Sequence, residues 1–228
     1  MSADTPGPAA KGRLSVRLTS APEEPPHSPG LHPIGLGRRR DGLLRVPEAA
    51  PDALLPLVVM LHGAGGNAAG TLPLIEAAAP GVLILLPESR HSTWDVIMGG
   101  YGPDVAFLDD ALRSVLRRYR VDPGRIALAG FSDGASYALS LALGNGDLFT
   151  HGLAFSPGFA APSDPVGRPR FFVSHGVDDR VLPIAACSRR LVPVLRRAGY
   201  DVIYREFAGG HDVPADMAAE AMAMLGRG

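Results

Sequence analysis

A serine between two glycines, a pair of aspartates, a histidine and a glycine-rich loop are the residues of this chain whose types and spacing could do chemistry. Ser132 sits in Gly130-Phe131-Ser132-Asp133-Gly134, after a short apolar stretch, Ile126 to Ala129, and before an apolar run of helical period, Ala135 to Leu143. That is a G-x-S-x-G motif between a strand and a helix. A turn this tight strains the serine backbone and projects its hydroxyl clear of both elements. Side chains two residues before and two after would collide there, so both positions want glycine. A serine hydroxyl is a weak nucleophile near neutral pH and needs a base, itself oriented by an acid. His211, in Gly209-Gly210-His211-Asp212, is the candidate base. Asp178 and Asp179, in His175-Gly176-Val177-Asp178-Asp179-Arg180-Val181-Leu182-Pro183, both remain candidates for the acid. A tetrahedral intermediate would need two backbone N–H donors. Asp133, next to the nucleophile at the positive end of its helix, offers one. Ala64, in Gly63-Ala64-Gly65-Gly66, offers the other. That loop has no G-K-[S/T] continuation for a phosphate loop and is too short for a dinucleotide fingerprint.

The elements that must position these groups alternate between strand and helix. Leu57 to Leu61 and Val82 to Leu86 are continuous apolar runs, as in strands buried on both faces of a parallel sheet. Asn67 is placed to cap a helix running to about Ala79. Asp104 to Tyr119 has helical apolar spacing. Further strands are expected at Leu153 to Phe155, Phe171 to Ser174 and Val202 to Phe207, with helices at Ile184 to Ala198 and Val213 to Leu225. Such alternation implies an α/β fold in one domain, a mostly parallel sheet covered by helices on both faces. Ser132, the aspartate pair and His211 each follow a strand, at the carboxyl edge where open α/β sheets carry their sites. Before this core, residues 1–12 read as a mobile tail and 13–228 as the folded unit. Arg13 to Thr19 alternates like an edge strand, Ser20 to Pro33 is a proline-rich loop, and Ile34 to Leu36 with Gly42 to Val46 suggest a hairpin. Arg38 to Arg40 read as a solvated turn. His62 and His175 read as turn-packing residues, and His27, His32, His91 and His151 as solvated ones.

Composition narrows the classes. The 228 residues carry a net charge of −1, which gives no argument for nucleic acid or an anionic membrane surface as partner. Cys187 is the single cysteine, so neither an intramolecular disulfide nor a cysteine metal site is possible; it reads as buried filler on a helix. No apolar segment follows Met1, so no secretory signal is expected and the cytoplasm is the expected location. Serine chemistry needs no metal or cofactor.

Taken together, Leu61-His62-Gly63-Ala64-Gly65, the Gly130–Gly134 motif, the His175–Pro183 segment and Gly210-His211 resemble the α/β-hydrolase superfamily. More narrowly they are similar to the phospholipase/carboxylesterase group of small serine esterases. The resemblance spans roughly Leu54 to Leu225. It implies Ser132 as nucleophile, His211 as base, and Asp179 as acid, because that group's acid lies in H-G-x-x-D-x-x-[VIL]-P. It also implies the Ala64 and Asp133 amides as the oxyanion hole. Asp133 departs from the glutamine usual in that group, and its charge would disfavour an anion close to the reacting acyl group. Only a short loop joins Phe155 to Phe171, so no cap is expected and the site should be open. Gly63 would border the substrate; Trp94, Met98, Phe159 and Leu182 could line an acyl pocket, though Trp94 could equally pack its loop on the sheet. The Trp94 loop also resembles that of secreted feruloyl and polyester esterases. The expectation is a carboxylic-ester hydrolase acting through an acyl-enzyme on a small-molecule or carrier-borne ester. A thioesterase of the acyl-protein thioesterase or lysophospholipase kind, a feruloyl or polyester esterase-like hydrolase and, remotely, a non-catalytic binding protein on the same fold are the alternatives.

Overall fold

The computed structural model describes residues 7–18, 21–50 and 52–226. Among the described residues, eight strands form one sheet: β1 (Gly30–Pro33), β2 (Gly42–Val46), β3 (Leu55–Leu61), β4 (Leu83–Pro87), β5 (Val121–Phe131), β6 (His151–Phe155), β7 (Arg170–Gly176) and β8 (Val202–Phe207). Their order across the sheet is β1-β2-β4-β3-β5-β6-β7-β8. The β1–β2 and β2–β4 pairs are antiparallel, and every pair from β4 to β8 is parallel. The helices are α1 (Ala68–Thr71), α2 (Pro103–Leu116), α3 (Asp133–Gly144), α4 (Ser188–Arg197) and α5 (Ala215–Leu225).

Strand alternation divides the core in two. Leu57, Val59 and Leu61 of β3 point into one layer with α2, α3 and α4; Val58 and Met60 point into the other with α1 and α5. Both sets are fully buried, which is why these strands read as unbroken apolar runs. No helix among the described residues is long and apolar enough to cross a membrane.

The amino-terminal third departs from expectation. Residues 1–6 lie outside the described residues, but 8–12 are not a free tail: Pro8–Lys11 forms a 3-10 turn, and the Asn145 side-chain amide donates to the Gly12 carbonyl at 2.8 Å. The alternation after Arg13 is correctly one-sided, with Leu14 and Val16 buried, yet among the described residues the segment pairs with no strand. Its amides are taken by side chains instead: Leu14 donates to Asn145 and Val16 to Asp109, at 2.8 and 2.9 Å. Polar side chains on α2 and just past the end of α3 thus do the work of a neighbouring strand. Thr19 falls outside the described residues.

The loop expected up to Pro33 instead contains β1, an edge strand. Pro33 ends it, where a missing amide costs no ladder bond. The helix expected from Asn67 to Ala79 begins as foreseen, with the Asn67 side chain accepting from the Gly70 amide at 2.9 Å. It stops at Thr71 and continues only as two 3-10 turns, Leu72–Leu74 and Glu76–Ala78, because Pro73 cannot donate. The helix expected from Ile184 starts at Ser188, after turns in which the Ala186 and Cys187 amides close onto Pro183.

Candidate active site

Ser132 joins β5 to α3 with φ 59° and ψ −121°, one of two non-glycine residues at positive φ among those described. Such backbone persists only where the surroundings fix it. A Cβ on Gly130 would lie 2.2 Å from the Gly134 carbonyl oxygen, and one on Gly134 would lie 2.4 Å from the Leu61 carbonyl oxygen. The first glycine lets the turn close on itself. The second lets α3 press against the end of β3, which brings the following loop to the serine. The Ser132 amide donates to the Phe155 carbonyl at 2.9 Å, fixing the turn to β6.

Two loops deliver the partners. The Ser132 hydroxyl meets His211 Nε2 at 2.8 Å, and His211 Nδ1 meets Asp179 Oδ2 at 2.6 Å. A neutral imidazole with its proton on Nδ1 satisfies both contacts, donating to the carboxylate and accepting from the hydroxyl. The His211 ring packs on Phe131 at 4.7 Å. Gly176 permits the meeting of the two loops, since a Cβ there would lie 2.1 Å from the Gly210 carbonyl oxygen. Asp179 is buried and Asp178 exposed, so the geometry selects Asp179 from the pair. Burial by itself would raise the Asp179 pKa. The His211 bond and the Leu182 and Val181 amides, both 2.8 Å from Oδ1, outweigh it and hold the carboxyl below its ordinary range.

His175 is the member of this network that the sequence placed only as turn packing. Its Nε2 lies 2.8 Å from the Leu182 carbonyl and 3.2 Å from Asp179 Oδ2, and its Nδ1 lies 2.7 Å from Ser188 Oγ. Both neighbours of Nε2 are acceptors, so Nε2 carries the proton and Ser188 donates to Nδ1. Burial lowers the pKa of this ring and keeps it neutral. The available signal was the spacing: His175 stands four residues before Asp179 at the end of β7.

The loop after β3 approaches the serine closely. A Cβ on Gly63 would lie 3.2 Å from Ser132 Cβ. The loop is held from outside. His62 Nδ1–H donates to the Gly63 carbonyl at 2.7 Å, and His62 Nε2 accepts from the Ser89 amide at 3.0 Å. Trp94 Nε1 donates to the His62 carbonyl at 2.8 Å, and the Gly65 amide to the Ser92 carbonyl at 2.7 Å. Among the described residues, the Ala64 and Asp133 amides have no hydrogen-bond partner. The Asp133 carboxylate accepts from the Thr93 hydroxyl at 2.7 Å, so the residue after Ser132 is itself tied to the 89–94 loop.

The expected acyl-pocket residues separate. Trp94 is fully buried, stacked on Tyr137 at 5.1 Å, and cannot touch a substrate; of its two readings, packing is the one realised. Leu182 packs beside Gly158, whose amide donates to Ser136 Oγ at 2.9 Å, one helical turn beyond Ser132. Phe159 is 38% exposed on that same loop, and Met98 is 64% exposed at the end of a 3-10 turn that packs on α3. His151, expected to be solvated, opens β6 in the core, where burial and then Arg170 lower its pKa to about 4. Cys187 is buried, which raises its thiol pKa. No group of metal-ligating side chains occurs among the described residues.

The family described as "Putative esterase" matches residues 35–192. A curated relative, "Probable feruloyl esterase C" of Aspergillus niger, is 28% identical over 190 residues, which cover 77% of this chain and 68% of the relative. Among solved structures, the esterase PE8 superposes with a TM-score of 0.66 at 24% identity, covering 82% of this chain and 97% of its own. The phospholipase/carboxylesterase of Dyadobacter fermentans superposes with a TM-score of 0.60 at 21% identity, covering 89% of this chain and 99% of its own. The two structural likenesses concern the fold. The family match takes in more than half of the chain, including the Gly-rich loop, the Ser132 turn and Asp179, and a hydrogen-bonded Ser-His-Asp network lies at the sheet edge. The chain therefore belongs to the esterase family, as an α/β hydrolase of the carboxylesterase-type serine class.

Proposed function

We propose that this protein hydrolyses carboxylic esters through an acyl-enzyme on Ser132, with His211 as general base and Asp179 as its orienting acid. The observation that carries the reading is the unbroken contact chain from the Ser132 hydroxyl through His211 to a buried Asp179, 2.8 and 2.6 Å, built on a strained turn. As Ser132 Oγ bonds to the ester carbon, its proton passes to His211 Nε2 and the carbonyl π pair moves onto oxygen. The Ala64 and Asp133 amides stabilise that oxyanion. Collapse expels the alkoxide, which takes the proton from His211. Water then repeats the sequence on the acyl-enzyme and releases the acid. Gly63 borders the reacting carbon; Leu182, Phe159 and Met98 lie on loops that pack against the serine helix and offer apolar surface for the acyl group.

The relative's name includes a feruloyl ester, and an aromatic acyl group would fit an exposed Phe159 and Met98, so methyl ferulate belongs in the assay. The test is hydrolysis of 4-nitrophenyl acetate through palmitate, and of methyl ferulate, by wild type and Ser132→Ala. The expected loss in the variant is about 10⁶ in kcat. A serine-directed phosphonate should label wild type at Ser132. Unlabelled protein with no Ser132-dependent turnover would leave a binding protein on this fold.

A further inference from the structure

Beside the serine site lies a cleft of about 810 Å³, and four arginines line it: Arg38, Arg39, Arg40 and Arg90, with His91 at the rim. The turn carrying Arg38 to Arg40 precedes β2, whose Gly42 pairs with Pro87 at the end of β4. The cleft therefore opens on the same carboxyl edge as Ser132. Two of the guanidiniums are structural. Arg40 donates to the Ser89 and Gly66 carbonyls at 2.6 and 3.1 Å and lies 3.6 Å from Glu88. Arg90 donates to the Glu88 carbonyl at 2.7 Å, lies 4.0 Å from Asp104 and stacks on Phe107 at 3.6 Å. Glu88 and Asp104 are thus engaged by Arg40 and Arg90, and Asp110 at the rim is paired with Arg113 at 2.9 Å. Asp41 is turned to the Gly35 and Leu36 amides, each 3.0 Å away. Arg38 and Arg39 are exposed and have no partner among the described residues. Like charges gathered in one concavity repel unless an anion joins them, and two neighbouring guanidinium forks match the three oxygens of a phosphate monoester.

The cleft is coupled to the serine site through its wall. Ser92, in that wall, accepts from the Gly65 amide, and the adjacent Thr93 donates to Asp133. From β5 to β4 is two strand spacings and to β2 three, so the cleft is offset from Ser132 across the sheet by roughly 10–15 Å at about 4.8 Å per strand. Asp133 repels negative charge near the scissile carbonyl, and the arginines attract it further out. Both fields orient an anionic ester the same way.

Resting on the esterase reading above, we propose that this cleft is a subsite for a phosphate monoester carried by the ester substrate some 10–15 Å from its scissile carbonyl. The test compares 4-nitrophenyl 8-(phosphonooxy)octanoate with the 8-hydroxyoctanoate and with 4-nitrophenyl hydrogen azelate. Wild type should favour the phosphate over the hydroxyl ester by about fivefold to tenfold in kcat/KM at low salt, an effect that shrinks as salt rises. Arg38→Ala/Arg39→Ala should abolish that preference and leave hydroxyl-ester turnover within about twofold. Equal turnover of the two esters, or a preference that survives in the double variant, overturns the subsite. Azelate turnover matching the phosphate, with the same arginine dependence, overturns the assignment to phosphate. Titration of hexyl phosphate into Ser132→Ala separates the two readings: binding that is lost when the two arginine substitutions are added supports the subsite even where no ester is turned over. Hydroxyl-ester hydrolysis without hexyl phosphate binding refutes the subsite and leaves the esterase standing.

Discussion

Replacing Asp179 with Asn tests the site most directly, because the structure dictates how the new side chain must lie. Asp179 Oδ1 accepts from the Val181 and Leu182 amides, each at 2.8 Å. Those donors are backbone and cannot reverse, so the Asn carbonyl oxygen must take the Oδ1 position. Its NH₂ then occupies the Oδ2 position, 2.6 Å from His211 Nδ1. Two donors cannot face each other at that distance, so Nδ1 must give up its proton and accept. A neutral ring then carries its proton on Nε2, 2.8 Å from the Ser132 hydroxyl, and can no longer receive one. The same change in a serine-protease triad costs about 10⁴ in kcat. The equivalent barrier is about 5.4 kcal/mol. Stability should change far less. His175 loses its 3.2 Å contact with Oδ2 but keeps the Leu182 carbonyl at 2.8 Å. The assay is kcat/KM on 4-nitrophenyl butyrate, with thermal unfolding on the same samples and Asp178→Asn as control. Asp178 is exposed, so its variant should stay within about twofold of wild type. A loss below about tenfold in Asp179→Asn, or a larger loss in Asp178→Asn, would refute the tautomer argument.

Three other outcomes follow from the same contacts. Trp94→Phe leaves the buried His62 carbonyl without its donor, at a cost of about 1–3 kcal/mol, and should lower Tm by roughly 2–10 °C while leaving the order of preference along the acyl series intact; a reordered series on an unchanged Tm would return Trp94 to the substrate pocket. Thr93→Val removes the hydroxyl that restrains Asp133 and should reduce kcat by about tenfold with little change in KM, since the amide beside Ser132 loses its brace; a pure KM effect would contradict this. His151 is buried with a pKa lowered to about 4, so the unfolded chain binds its proton first as pH falls: its contribution is intact above about 6.5 and declines down to about 4, by on the order of 3 kcal/mol. His151→Asn should flatten the urea-midpoint profile across that window, and an unchanged slope would show that the ring is not buried neutral.

The legible parts of this fold are those where one residue type answers one local demand. Gly130, Gly134 and Gly176 stand where a Cβ would meet backbone at 2.2, 2.4 and 2.1 Å, so each glycine marks a close approach that the motif alone announces. The apolar runs of β3 to β5 are visible because both faces are covered. What sequence pattern could not show is who satisfies a backbone far away in the chain. The alternation of Leu14 and Val16 is genuine, but Asn145 and Asp109, on or next to helices more than ninety positions later, replace the expected strand. His175 was read as packing because nothing local says that its Nε2 reaches Asp179. Trp94 allows two readings in the sequence because its partner, the His62 carbonyl, lies 32 positions earlier. Arg38 to Arg40 read as a solvated turn, yet Arg40 is fastened to Ser89 and Gly66, and the cleft exists only once β2 meets β4.

The loop proposed to bind the oxyanion owes its shape to this same dependence on distant partners. Gly63, Gly65 and Gly66 give Ala64 little stiffness of its own, and a flexible loop would have to be ordered at each turnover. Four contacts remove that freedom beforehand. The His62 ring is gripped between the Gly63 carbonyl and the Ser89 amide, Trp94 holds the His62 carbonyl, and Ser92 holds the Gly65 amide. Three of the four come from residues 89–94, and the same segment supplies Thr93 to Asp133. Both proposed amide donors are therefore positioned by one loop, anchored through a buried indole rather than through β3 or β5, the strands that lead into them. Burial lowers the His62 pKa, which keeps its ring neutral with one donor and one acceptor, the only state that can satisfy both neighbours. Asp133 fits the same scheme. Its short carboxylate reaches the Thr93 hydroxyl, so the residue that places negative charge near the proposed oxyanion site also fixes the amide proposed to bind it.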